Sequence, residues 1–337
     1  MSNVVIEPRA PFPYFGGKRN AAQIVWDVLG DVPNYVEPFC GSCAILLARP
    51  ATHAGGIETV NDADGMLVNV WRSIRNAPDE VAHECAIPVM EIELHARLAT
   101  TKARMTPDFK AWMEADEGHY DAHLAANWLY CTCASIGECW GDDGPWHIVE
   151  EADGETYLRN TRELPHLGNA GQGINRKLPH LGGAGQGDEG IGPKEASVLQ
   201  YLRALARRLE KVRICCGDWR RVVSTPTTIF AGCSTAGIFL DPPYTVGTEL
   251  YAEAQNISGE VREWCKTAPR AARIALCGFE ADGHDELLAL GWTRVQGISG
   301  GSGYNTDKTD CKRERIWLSP SCLREFDLFD HVEESHA

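Results

Sequence analysis

The chain has 337 residues, 44% of them hydrophobic, enough to bury a sizeable core in one large α/β domain with an insertion or in two modest domains. A formal net charge of -15 argues against a histone-like, non-specific nucleic-acid binder while leaving room for local basic patches. No apolar run approaches the ~20 residues of a membrane span. The start, MSNVVIEPRAPFPYF, lacks the basic-then-apolar order of a secretory signal, so a cytoplasmic protein is expected. Thirteen cysteines then read as reduced, buried small hydrophobes rather than as a disulfide framework.

Along the chain, residues 34–47 read as a strand (NYVEPF), a small-residue turn (CGSC) and a helix (AILLARP) ended by Pro50. GIETVND, Gly56 to Asp62, is a second strand ending in acidic residues, and GMLVNVWRSIRNAP is an apolar-periodic helix stopped by Pro78. This is the βαβ opening of a Rossmann-like sheet, whose ligands sit at the carboxyl ends of the strands. From about Ala82 to Lys194 the pattern loosens: one helical piece, HYDAHLAANWLYCTCAS, precedes acidic and Gly-rich sequence. A repeat of period 14 follows, LPHLGNAGQG at 164–173 and LPHLGGAGQG at 178–187. Two copies are too few for a solenoid, leaving two similar recognition loops or a flexible linker.

Order returns with the amphipathic helix KEASVLQYLRALARRLEKV and the strand VRICCGD. GIFLDPPY, Gly237 to Tyr244, is an apolar run closing on a polar cluster, as expected of a buried parallel strand with a functional carboxyl end. VREWCKTAPRA, RIALCGF, HDELLALGW and RERIWLSP continue the alternation, so the fold is read as a doubly wound α/β sheet. The tail from 323 to 337, with Glu325, Asp327, Asp330, Glu333 and Glu334, is expected outside the core.

The Cys-Gly-Ser-Cys turn invites a thiol chemistry that its neighbours do not support. A papain-like loop wants an aromatic after the second cysteine, where Ala44 stands. Cys40 and Cys43 fit a redox Cys-x-x-Cys only in outline. A zinc set of Cys131, Cys133, Cys139 and His147 follows no familiar spacing, and no metal is expected.

Asp241-Pro242-Pro243-Tyr244 after an apolar strand, together with PFPYFGGK, VEPFCGSCAILL and VNDADGMLVNV in that order, resembles the Dam-like (D12 class) adenine-specific DNA methyltransferases. The ending RERIWLSPSC is similar to phage-type members. The resemblance covers about 1–75 and 195–322, and implies a Rossmann-like S-adenosylmethionine-dependent fold of residues 1–81 and 195–322 with a target-recognition insertion at 82–194. The implied reaction methylates the N6 amine of adenine in double-stranded DNA. Cytosine N4 or RNA as the target, or a non-catalytic DNA-binding relative, stands as the alternative.

The resemblance also implies the site residues. Asp241 and the Pro242 carbonyl accept the two N–H bonds of the target amine, and Tyr244 offers a flat face to a flipped base. Tyr14 and Lys18 match the cofactor-contacting positions of the N-terminal motif, although Tyr14-Phe15 stands where members often have Trp-Ala. Glu37, Pro38 and Phe39 match the first strand end, with Gly41 and Ser42 allowing close backbone approach. Asp62, with Asp64 as competitor, is placed for the ribose hydroxyls. Asp218, in Gly217-Asp218-Trp219, falls near the cofactor adenine or is a capping residue. For DNA, Arg176 and Lys177 suit phosphates, with Lys102, Arg104, Arg203 and Arg207 behind them. Asn169 and Asn175, with Gln172 and Gln186, suit base edges. A monomer or weak dimer is expected, with neither metal nor membrane as partner.

Overall fold

Strands rich in apolar and β-branched residues carry the fold. Among the residues that this computed structural model describes (8–12, 14, 18–135, 146–150, 156–160, 194–243, 252–296 and 314–323) they are β1 (Asn34–Glu37), β2 (Ile57–Asp62), β3 (Trp146–Glu150), β4 (Thr156–Asn160), β5 (Val212–Cys216), β6 (Ala236–Leu240), β7 (Ala272–Phe279), β8 (Thr293–Gln296) and β9 (Glu314–Leu318). Seven form one sheet in the order β5-β2-β1-β6-β7-β9-β8. The first five in that order run parallel, β9 is antiparallel to β7, and β8 is antiparallel to β9. From β1 the chain builds outward through β2 to β5, then crosses back to place β6 on the other side of β1. The order therefore reverses between β1 and β6, where a sheet of this kind opens a crevice at its carboxyl edge. This is the Rossmann-like α/β arrangement that the alternating pattern predicts.

The helices are α1 (Ala22–Leu29), α2 (Ala44–Leu47), α3 (Gly65–Asn76), α4 (Pro78–Cys85), α5 (Glu91–Arg104), α6 (Pro107–Ala115), α7 (Ala122–Ala134), α8 (Lys194–Leu209), α9 (Pro226–Phe230) and α10 (Ala252–Thr267). Among the described residues none is long and apolar enough to cross a membrane. The chain divides into two compact units, one of Asp64–Glu210 with Ala10–Pro13, the other of Tyr14–Ala63 and Lys211–Ala337. The whole seven-stranded sheet belongs to the second.

In the sheet unit, β1 and β6 are buried at every position, as both-face coverage of a central parallel strand demands. Ile238 and Leu240 of β6, Ile274 and Leu276 of β7 and Trp317 of β9 pack with Val261 and Cys265 of α10 in one core. Trp26 of α1 ties neighbouring pieces together: its Nε1 donates to the Ile45 carbonyl at 2.8 Å, and its ring lies 4.9 Å from that of Tyr35.

The helical unit is richer in regular structure than its sequence pattern suggests. Residues 78–134, expected to hold one helix, hold α4 to α7. Of the four, α4 and α6 are under ten residues; α6 starts on a proline and the Thr106 cap, whereas α5 starts after Met90 with no side-chain cap. Pro78 likewise opens α4 at its first position rather than merely stopping α3. Arg72, 1% exposed, donates to the carbonyls of Met113, Asp116 and His119 at 2.8–3.2 Å, placing a cation at the carboxyl end of α6. The repeat at 164–187 and the acidic tail beyond Leu323 lie outside the described residues. Helices α3 and α8, which flank the 82–194 segment, cluster with its helices.

One buried group in the sheet unit makes stability depend on pH. His284 is fully buried, with Ser258 Oγ 3.4 Å from Nε2 and the Trp317 ring 5.0 Å away. Burial pushes the imidazole down to about 4. Gly278 allows the ring this position, since a Cβ there would lie 2.6 Å from its Cδ2. Because the folded group is the weaker base, its contribution is complete above about pH 6.5 and is lost as pH falls toward 4. Between pH 7 and 5 the parent should lose about 2 kcal/mol more unfolding free energy than His284→Gln, measured by denaturant titration at both pH values. Equal losses would remove His284 from the acid sensitivity.

Candidate functional site

The carboxyl end of β2 organises the loops around it. Asn61, fully buried, donates both hydrogens of its side-chain amide, to the Pro38 carbonyl at 3.0 Å and the Gly217 carbonyl at 2.9 Å. Its main-chain carbonyl accepts from Cys40 N–H at 2.9 Å, and that of Asp62 accepts from Gly217 N–H at 2.8 Å. The turns after β1 and β5 are thereby fastened to the strand between them.

Asp62 Oδ2 accepts the Gly41 N–H at 2.9 Å. Gly41 has φ of +45°, and a Cβ on it would lie 2.7 Å from the Tyr14 ring, so glycine is needed for both conformation and space. Tyr14 keeps 43% of its surface exposed. Tyr14, Gly41 and Asp62, separated in sequence, thus meet at one place. Asp64 instead serves as the N-cap of α3, accepting from Met66 and Leu67 N–H at 2.8 and 3.2 Å.

Glu37 lies beneath the turn. Its carboxylate, 2% exposed, accepts from the Tyr35 hydroxyl at 2.9 Å and from Leu46 N–H at 3.2 Å, satisfying a first-turn donor of α2. Burial, aided by the carboxylates of Asp241 and Asp62 and opposed by those two hydrogen bonds, pushes Glu37 up to about 8. Pro38 is buried, and the half-buried Phe39 ring sits 5.8 Å from Trp219. Asp218 is exposed, caps the short turn Trp219–Val222 through Arg220 N–H at 2.8 Å, and pairs with the Arg220 guanidinium at 2.9 Å.

Asp241 follows directly on β6, across the β1–β6 reversal from Glu37. Lys18 Nζ lies 3.1 Å from Asp241 Oδ2 and 3.0 Å from Glu314 Oε1, with the lysine side chain 8% exposed. Burial by itself lowers the lysine, but the Asp241 and Glu314 carboxylates outweigh it and push Lys18 up, so the ammonium stays charged. Oxygens of Asp241 and Glu314 and the Cys277 sulfur lie within 4.8 Å of one another. Pro242 is buried and Pro243 exposed. Tyr244, Arg176, Lys177, Asn169 and Asn175 lie outside the described residues, as do Gln172 and Gln186.

Two contributors carried no assignment from sequence, Asn61 and Glu314. A polar residue closing the apolar run of β2 was the signal for the first. For the second there was only the acidic residue opening the last strand, which looks like any exposed strand end. Of the further phosphate candidates, Arg203 makes a paired contact with Asp79 at 2.5–2.7 Å and Arg104 reaches Asp121 at 3.3 Å.

With this geometry in place, the comparison with known families can be set beside it: residues 14–96 match the D12 class N6 adenine-specific DNA methyltransferase family. Over that segment the chain is similar to the class. The family implies S-adenosylmethionine-dependent methylation of adenine N6 in DNA. No curated protein matches the chain. The D12 match contains Tyr14, Lys18, Glu37, Gly41 and Asp62 but ends well before the Asp-Pro-Pro segment. Lys18 connects the two, since its ammonium contacts Asp241.

The residues present fit the methyl donor of a D12 enzyme. A turn whose only Cβ-free position is closely approached, an exposed aromatic face and a carboxylate at the end of β2 are what a nucleoside with ribose hydroxyls requires. Cys40 and Cys43 are buried free thiols. Cys40 is pushed well up, by its hydrogen bond with Cys43 first and burial second, which opposes a reactive thiolate. Cys43 has φ of +51°, a left-handed position costing a non-glycine residue about 1 kcal/mol. Replacing both cysteines with serine or alanine should keep most of the methylation activity. Loss of methylation with folding and cofactor binding intact would restore a role for the thiols.

Proposed function

We propose that the chain is a site-specific DNA methyltransferase that acts on the N6 amine of adenine with Asp241, Pro242 and Tyr244 as its catalytic group. The observation that supports this reading is the buried contact between Lys18, inside the matched segment, and Asp241, outside it. The amine is a poor nucleophile because its lone pair is delocalised into the ring. An Asp241 oxygen and the Pro242 carbonyl, accepting one N–H each, draw the nitrogen toward tetrahedral geometry and free that pair. Proline brings no N–H of its own to the strand end, and its fixed φ holds the carbonyl in place. Tyr244 stacks on the flipped base, and Asp241 takes up the proton that the methylated amine sheds before passing it to water.

S-adenosylmethionine, when bound, supplies an electrophilic sulfonium methyl. Asp62 accepts from its ribose hydroxyls, Tyr14 and Gly41 border it, and the turn after Glu37-Pro38-Phe39 lets it approach the backbone. Asp218 lies toward its adenine. Lys18 serves this side chiefly by holding Asp241 charged. Rate enhancement then comes mainly from holding amine and methyl in line. Residues 82–194 are the target-recognition region, with Arg176 and Lys177 on phosphates and Asn169 and Asn175 on base edges of double-stranded DNA. The protein works as a monomer or weak dimer.

Asp241→Ala should abolish methyl transfer and retain the fold, because Glu314 still compensates the Lys18 charge; undiminished activity would refute the catalytic assignment. Asp62→Ala should weaken cofactor binding by roughly tenfold or more, and unchanged calorimetric affinity would move the ribose contact elsewhere. Modified-base sequencing of DNA from expressing cells should find N6-methyladenine at one sequence context, whereas N4-methylcytosine would redirect the reading to the other amine.

A further inference from the structure

Three strands and one preceding segment converge on Asp241. Cys277 of β7 follows Leu276, the register partner of Leu240, and Glu314 of β9 pairs with Phe279, two residues further along β7. Lys18 bridges the two carboxylates from the segment before α1, at 3.1 and 3.0 Å. Among the described residues, the charged and titratable groups facing Asp241 include Lys18, Glu314, the Cys277 thiol and, from β1, Glu37.

A lone Lys18–Asp241 pair would be electrically neutral, a poor environment for an amine that gains positive charge as it forms its new bond. Among the described residues Glu314 adds a second carboxylate to that pair, offsetting the ammonium's charge beside the reacting nitrogen. The ammonium that contacts Asp241 Oδ2 is also held by Glu314 Oε1, so the position of one carboxylate depends on the other. Glu314 is 21% exposed and Lys18 only 8%, so the interaction is weakly screened.

We propose that Glu314 is a positioning residue for methyl transfer: acting through Lys18, it orients the Asp241 carboxylate and offsets the charge of the ammonium. This rests on the methyl-transfer reading of the site. Glu314 itself need touch neither base nor cofactor.

Glu314→Gln removes the charge and keeps the shape. Its kcat should fall roughly tenfold or more with cofactor affinity unchanged. The acidic limb of its kcat profile should move to lower pH, because a neighbouring negative charge no longer resists ionisation of Asp241. A structural defect would lower activity without moving the limb in that direction. Lys18→Met/Glu314→Gln, which removes the two opposite neighbouring charges together, should return the limb toward the parent's position, and this double variant also carries the test if the single one does not fold. An unmoved limb in folded Glu314→Gln, or a displaced one in the double variant, would overturn the proposal. Carboxyl carbon NMR of Asp241 in parent and variant separates the two readings. A parent that methylates no DNA refutes the proposed function, and equal Asp241 titrations refute the role of Glu314 whatever the reaction.

Discussion

The site depends on the amide of Asn61. It is a buried side chain at the end of a central parallel strand, and it donates its two hydrogens to the carbonyls of Pro38 and Gly217. Those carbonyls belong to the turns that leave β1 and β5. Such turns ordinarily face water, and without a partner their buried polar atoms would each cost about 1–3 kcal/mol. By satisfying both, together with the main-chain bonds to Cys40 and from Gly217 to Asp62, β2 makes three separate strand ends into one surface. Asp62 then meets Gly41, and Gly41 meets Tyr14, without any of these residues being close in sequence.

The other half of the site rests on electrostatics rather than on strand-end clips. Asp241 is held by a buried ammonium, which holds Glu314 in turn. Buried ion pairs are weak contributors to stability because desolvation offsets much of their attraction. Their value here is a defined charge at a defined place, which a well-packed apolar substitute would not provide. Glu37 illustrates the opposite solution nearby: with no cation beside it among the described residues, its carboxyl is accommodated by two hydrogen bonds and by protonation as pH falls below about 8.

The cysteines show how a conspicuous motif loses its chemistry in context. Cys-Gly-Ser-Cys draws notice as a thiol motif, yet both sulfurs are buried and Cys40 is pushed away from the thiolate form, while its glycine donates to Asp62. Small volume is the property this turn uses.

Much of this was legible along the chain. Apolar runs closing on polar residues located β1, β2, β5, β6 and β7, since a strand buried on both faces and open at one end must read that way. The motifs at Tyr14–Lys18, Glu37–Gly41, Asp62 and Asp241 carried the resemblance to the D12 class, and residues 14–96, which hold the first three, match that family. Helices α4 to α6 and strand β8 were not legible, because elements of these lengths owe their stability to packing more than to local periodicity. Nor was the partnership of Lys18, Asp241 and Glu314, residues far apart along the chain that share no local signal. The sequence by itself determined the strand ends and the residue types at them. Which of those residues touch only the tertiary structure decided, because strand order and register set distances that no spacing along the chain encodes.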